Sequence, residues 1–221
     1  RYFPGAMDDW MRVDLGYTGV RGNPDLSNVQ EVRIIVLTDG EPINYLVDDL
    51  RAVPKPVDSG RVVLSFDEVR ESHYDIAFNE LQKRGWSGME SVNPDEVNSG
   101  GALTTGQLRE MRDAGWDIIS YPATGSRLPE LSADEQRRAI QDTKEYLDLK
   151  GFRDGKRFMA IPADSFNGTT LDIIHEEHEY GFAFGACPSS APPVGKAAVS
   201  RVSGTDLNGA ARMINIAAQY N

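Results

Sequence analysis

Two apolar spacings divide the chain. Up to residue 53 the apolar positions alternate or run as short β-branched blocks: Trp10-Met11-Arg12-Val13-Asp14-Leu15, then Val32-Arg33-Ile34-Ile35-Val36-Leu37, then residues 45–51. Such blocks predict strands, here separated by the turn sequences Gly22-Asn23-Pro24-Asp25 and Asp39-Gly40-Glu41-Pro42. Three strands cannot bury both of their faces alone. They are therefore expected to be part of an antiparallel β-sandwich, with Trp10, Val13, Val32, Ile34, Val36 and Leu46 turned inward. Pro54-Lys55-Pro56 reads as a stiff linker, which places the boundary between residues 1–56 and 57–221.

After the linker, strand-like and helix-like segments alternate. Strands are expected at 61–66, 88–92, 116–120, 158–161 and 182–185, and helices at 74–84, 104–114, 133–150, 170–180 and 206–220. Thr104 and Ser132 stand where helix N-caps belong, and Gly85 and Gly115 stand just past helix ends. Ala77, Leu81 and Ile76 are expected on one face of the 74–84 helix. Repeated strand–helix units imply parallel strands joined by crossover helices, an α/β fold whose chemistry gathers at the carboxyl ends of the strands.

Charge narrows the partners. The 221 residues carry 34 Asp and Glu against 23 Lys and Arg, a formal net charge of −11, which leaves no basic face for a nucleic acid. Among the cations 17 Arg stand against 6 Lys, and Asp outnumbers Glu, a bias that suits a hydrated acidic surface in high salt and a halophilic source. Cys187 is the single cysteine, so no intramolecular disulfide forms. No stretch reaches the ~20 apolar residues of a membrane span. A start at Arg1 rather than Met reads as a piece of a longer polypeptide.

The strand ends carry the informative residues. Ser65-Phe66-Asp67-Glu68 closes the first strand after the linker, and the lead-in Gln107-Leu108-Arg109-Glu110-Met111 with Gly115-Trp116-Asp117-Ile118 runs into Ser120-Tyr121-Pro122-Ala123-Thr124-Gly125. A third segment is Ala160-Ile161-Pro162-Ala163-Asp164-Ser165-Phe166-Asn167. In this order the three resemble the motifs of NodB-type polysaccharide deacetylases, carbohydrate esterase family 4. The resemblance spans roughly residues 60–221 and implies a distorted, incomplete (β/α) barrel. Residues 25–36 and 45–54 resemble the end of a carbohydrate-binding β-sandwich.

The family's first motif, Thr/Ser-Phe-Asp-Asp-Gly, implies Asp67 as the base acting on a metal-bound water and Glu68 as the metal ligand, with Val69 where glycine is usual. The second motif places Tyr121 and Gly125 where the family has its two metal-binding histidines. Glycine offers no donor atom and a phenol is a poor zinc ligand near neutral pH. At most one carboxylate of a three-ligand site survives. The third motif walls the groove, with Pro162, Phe166 and Asn167 matching and Asp164 replacing a glycine. The family's last strand would follow the 206–220 helix, beyond Asn221.

The resemblance thus implies a domain that keeps the deacetylase frame and has lost its metal site. The expected function is a catalytically degenerate, carbohydrate-binding or structural module of an extracellular or cell-surface protein. Asp67 is its vestigial base, and Glu68, Tyr121, Pro162, Asp164, Phe166 and Asn167 line a glycan groove. No metal or other cofactor is expected, although the family implies zinc or another divalent ion. The alternatives are an active metal-dependent deacetylase removing N- or O-acetyl groups, and a structural or host-recognition part of a surface or virion assembly. Elsewhere the plainer readings are preferred: His73 a surface residue at a helix start, His175 and His178 on a solvated helix, and Trp10, Trp86 and Trp116 in the core.

Overall fold

A computed structural model describes residues 10, 16–35, 40, 42, 44–51, 60–124, 126–185, 188, 189, 193 and 195–220. Among these, six strands form one sheet in the order in which they occur along the chain. They are β1 (Ser65–Asp67), β2 (Met89–Val92), β3 (Asp117–Ser120), β4 (Phe158–Ala160), β5 (Tyr180–Phe184) and β6 (Val199–Arg201). Every pairing is parallel, so all six carboxyl ends point the same way. The helices between them are α1 (Asn79–Gln82), α2 (Thr105–Asp113), α3 (Ala133–Lys150) and α4 (Gly168–Glu177), and α5 (Leu207–Tyr220) follows β6. This is the expected incomplete (β/α) barrel: a curled parallel sheet with helices against it.

Local sequence explains most boundaries. Thr104 and Ser132 each accept from the backbone N–H three residues on, and the side chains of Gln107 and Glu135 return the bond, so α2 and α3 begin on capping boxes. Gly151 ends α3 at φ 89°, a conformation that favours glycine. Helix α4 starts earlier than expected because Asn167 caps it, and it ends at Glu177, leaving Tyr180 to open β5.

The first helix departs from its simple periodicity. Residues 73–78 form a π-helical turn ahead of α1. The wider turn rotates Phe78 and Leu81 into the core and leaves Ile76 exposed, against expectation. Strand β6 was not expected at all; it is only three residues long and lies in what reads as a Pro/Ser-rich loop.

Three apolar clusters hold the sheet, a small one of Met89, Ile119 and Ala160 and two larger ones. One packs Val69, Phe78, Val92, Leu103, Leu108, Met111, Trp116 and Phe152 together on the α1 and α2 side. The other joins Ile140 of α3 and Leu171, Ile173 and Ile174 of α4 to Met159 and Ile161. Trp116 is core as expected, but Trp86 and Trp10 are exposed. His178 is also a correction: it caps the end of α4 and is buried, with Nδ1 3.0 Å from the Lys156 carbonyl.

No strand forms among the described residues 16–35 and 44–51, and Val32 and Leu46 are 60% and 81% exposed. Of the expected inward set, Trp10, Val32, Ile34 and Leu46 are exposed among the described residues, and the expected strands at 32–35 and 45–51 do not form there. Val13, Val36 and the linker Pro54-Lys55-Pro56 lie outside the described residues.

Backbones approach closely at Gly155, where an added Cβ would stand 1.8 Å from the Ile118 carbonyl oxygen in β3. Gly155→Ala is expected to cost about 1–3 kcal/mol, the usual range for overpacking. Denaturant melts of the two proteins check this, and an unchanged midpoint would refute the close approach.

Candidate functional site at the carboxyl ends of the strands

Asp67 is the last residue of β1, and its carboxylate is the centre of the site. Arg201, the last residue of β6, donates from Nη1 to both Asp67 oxygens at 2.9 Å and from Nη2 to Asp164 Oδ1 at 3.4 Å. Ser91 of β2 donates its hydroxyl to Asp67 Oδ1 and to the Phe66 carbonyl. The guanidinium side chain is only 17% exposed. Burial works against its charge, yet Asp67 and then Asp164 outweigh burial and hold Arg201 above its ordinary pKa.

Asp164 arrives from the turn after β4, where Ala163 and Asp164 both have positive φ, 51° and 50°. Its Oδ1 also accepts the Phe184 N–H at 2.6 Å. Tyr121, just past β3, is half-buried. Burial, reinforced by the charges of Asp67 and Glu68, raises the Tyr121 pKa above its usual value. Glu68 points outward and pairs with Arg70.

Asp67, Tyr121 and Asp164 are thus brought together, with Glu68 at the rim. The remaining expected groove residues serve the fold instead. Phe166 is 3% exposed and belongs to the α4 core, Pro162 is buried, and the Asn167 side chain caps α4 by accepting from the Thr170 N–H at 2.9 Å. Gly125 and Cys187 lie outside the described residues.

Sequence reasoning missed Arg201, Ser91 and the pair formed by His73 and Glu90. His73 is not a surface residue: its Nδ1 lies 3.0 and 3.1 Å from the two oxygens of Glu90, which is fully buried on β2. A glutamate inside the apolar strand Met89-Glu90-Ser91-Val92 was a readable signal. Arg201 gave none, being one arginine among 17 in a three-residue strand.

The residues present do not fit the metal ion implied by the motif resemblance. Both Asp67 oxygens are taken by Arg201, Tyr121 supplies a protonated phenol, and the second histidine position is Gly125. Among the described residues no group of three His, Cys, Asp or Glu side chains is placed to hold a metal.

An open, all-parallel α/β barrel with an acid at the end of its first strand defines the class of fold, and comparison with known proteins gives the family. The polysaccharide deacetylase family model matches residues 55–182, and the chain belongs to that family. No curated protein matches it. Among solved structures it resembles a Streptococcus pyogenes deacetylase determined with acetate, at 25% identity and TM-score 0.59, over 63% of this chain and 62% of that one. A polysaccharide deacetylase from Bacillus cereus matches at 21% identity and TM-score 0.55, over 63% of this chain and 46% of that one. A family 4 carbohydrate esterase from Streptomyces lividans, also with acetate, matches at 15% and TM-score 0.51, over 72% and 86%. The chain thus spans about half to three fifths of the first two of these structures.

Two pH-dependent contributions oppose each other. Burial raises the Glu90 pKa to about 7, although His73 pulls it down, so the folded form keeps a proton that the unfolded chain releases near 4.5. That stabilisation is lost as pH rises toward 7. Burial lowers the His178 pKa to about 4, and its stabilisation is present above 6.5 and lost as pH falls toward 4. Each shift corresponds to something on the order of 3 kcal/mol. Melting curves between pH 4.5 and 6.5 are therefore expected to be shallow for the parent protein. They should rise with pH for Glu90→Gln and fall with pH for His178→Gln, and a variant that keeps the parent slope would refute the assignment for that residue.

Removing Arg201 leaves the half-buried Asp67 without its cation. Arg201→Met should cost about 3 kcal/mol, and the Asp67→Asn, Arg201→Met double variant markedly less, because an unpaired charge is worse than a neutral pair. Additive losses in that cycle would show that the two residues are not coupled.

Proposed function

We propose that this chain is a deacetylase-family domain that binds carbohydrate without hydrolysing it, carried by an extracellular or cell-surface protein. The carrying observation is the ion pair between Asp67 and Arg201: both oxygens of the acid that the family motif casts as a base accept from one guanidinium nitrogen. Held that way, each of its oxygens already accepts a hydrogen bond from Arg201. Tyr121 and Gly125 at the histidine positions support the same reading, since neither replaces an imidazole.

What remains suits recognition. Polar groups fixed by one another, namely Asp67, Asp164 and Arg201, stand beside the half-buried ring of Tyr121, with Glu68 at the rim. A sugar is bound by such a combination of an apolar ring face and a few oriented hydrogen-bonding groups. The excess of acidic residues supports a protein kept dispersed in salty surroundings, and the exposed apolar residues of 29–35 and 45–50 support packing within a larger assembly.

The test pairs binding with turnover, using acetylated and deacetylated glycan oligomers. Binding without acetate release is expected, whether or not zinc is added. Tyr121→Ala should weaken binding by about 1 kcal/mol or more through loss of ring contact. Catalytic acetate release that Asp67→Asn abolishes would establish the active deacetylase instead. Absence of binding to every oligomer would favour the structural or host-recognition reading.

A further inference from the structure

The carboxyl ends of the strands carry a second accessible ring besides Tyr121. Phe184 is the last residue of β5 and is 41% exposed. Its direction follows from strand pairing. Phe184 stands level with Arg201 of β6, and paired residues on adjacent strands turn their side chains to the same face of the sheet. Phe182, two residues earlier and so on that face too, packs against Ile119 and Ala160 inside the curl of the sheet. Phe184 therefore opens onto the face where Arg201 reaches Asp67.

One exposed phenylalanine by itself needs no function. What surrounds this one gives it a use. Tyr121 follows β3 and Phe184 ends β5, with β4 between them, so two strand spacings of roughly 10 Å in all separate the strands that carry the rings. That is the span of a disaccharide. The turn after β4 fills the interval with Asp164, whose Oδ1 accepts the Phe184 N–H at 2.6 Å and meets Arg201 Nη2 at 3.4 Å. No described residue donates to Asp164 Oδ2, and the side chain is 39% exposed. An open carboxylate oxygen thus stands between two rings. Charge adds a preference: Arg201 faces both Asp67 and Asp164, which leaves the cluster with a net negative charge, while Glu68 at the rim is balanced by Arg70.

We propose that Phe184 is a second sugar platform: the groove takes an oligosaccharide laid across β3, β4 and β5, stacked on Tyr121 at one end and Phe184 at the other, with a free amino group of the sugar between them on Asp164. The inference rests on the carbohydrate-binding reading above and gives it a length and a chemical class. An aromatic ring covers the C–H face of a pyranose, and only a chain long enough to reach both rings gains from both. A protonated amine fits the open oxygen of Asp164 through a charge-assisted hydrogen bond. An N-acetyl group brings only a neutral N–H there, and a uronate adds a negative charge to acids already in excess. The preferred ligand is therefore a deacetylated amino-sugar chain, ahead of an acetylated or an acidic one.

Titrations with a glucosamine tetramer, an N-acetylglucosamine tetramer and glucosamine itself, at about pH 6 where a primary amine is protonated, test this. The parent should bind the glucosamine tetramer about tenfold tighter than the acetylated one, the usual worth of a hydrogen bond to a charged group. It should also bind that tetramer about fivefold or more tighter than the monomer, through the second ring. Phe184→Ala should remove most of the gain from monomer to tetramer. So should Phe184→Leu, which keeps the apolar bulk without a ring face and decides the matter if the alanine variant does not fold. Asp164→Asn keeps Oδ1 as an acceptor for the Phe184 amide but loses the charge, and should bind the two tetramers alike. Tetramer affinity unchanged in the Phe184 variants overturns the platform, and equal affinity of the parent for the two tetramers overturns the amine preference. If Tyr121→Ala still weakens the tetramer in either case, the glycan reading stands without this inference; if neither tetramer binds the parent, both fall.

Discussion

The ion pair of Asp67 and Arg201 joins the two edges of an unclosed sheet. β1 and β6 lie at opposite ends of the strand order, and their last residues are bound to each other by two hydrogen bonds of 2.9 Å. An open parallel sheet has no ladder to bring its edges together, so curvature must be held by side chains. At the carboxyl end this is Arg201. At the other end Gly60 lies against the backbone of α5, where an added Cβ would be 2.9 Å from the Ala217 carbonyl. The guanidinium also reaches Asp164, so β1, β4 and β6 share one buried cation.

Strain collects where this cation draws in its acids. Glu68 and Val69 after β1, and Ala163 and Asp164 after β4, are two pairs of consecutive non-glycine residues at positive φ. Both pairs flank carboxylates of the site, and both are restrained by hydrogen bonds to the neighbouring backbone: Leu103 N–H to the Val69 carbonyl, and Phe184 N–H to Asp164. Residues kept in such conformations cost of order 1–3 kcal/mol each, which neighbouring contacts must offset. The turn geometry that glycine would supply without strain is here imposed from outside, by the Leu103 amide on the first turn and by Arg201 and the Phe184 amide on the second.

Much of the frame was legible because its signals are local. The capping boxes at Thr104 and Ser132, the glycine after α3 and the apolar runs of β2 to β4 depend on residues within a few positions of one another. The departures were non-local. No helical periodicity announces the π-turn that exposes Ile76. Phe166 and Asn167 match a groove motif in order but are consumed by packing and capping, because α4 begins one residue after Asn167. Arg201 and Asp67 are 134 residues apart, and nothing near Arg201 marks it for that partner. Glu90 alone advertised itself, as a charge inside an apolar strand.

On the proposed reading, an arginine rather than a metal ion supplies the positive charge beside Asp67, and that changes what the site can be. An ion held between the loops after β1 and β3 is exchangeable, and its loss frees the acids around it. A guanidinium is tethered to its strand, always charged, and here meets two acids at once, Asp67 through Nη1 and Asp164 through Nη2. On the proposed reading, the guanidinium that occupies both oxygens of the acid also gives the open sheet a permanent clasp between its edges. Loss of hydrolysis and gain of rigidity then have one cause, and reversal by restoring histidines alone would meet an acid already bound.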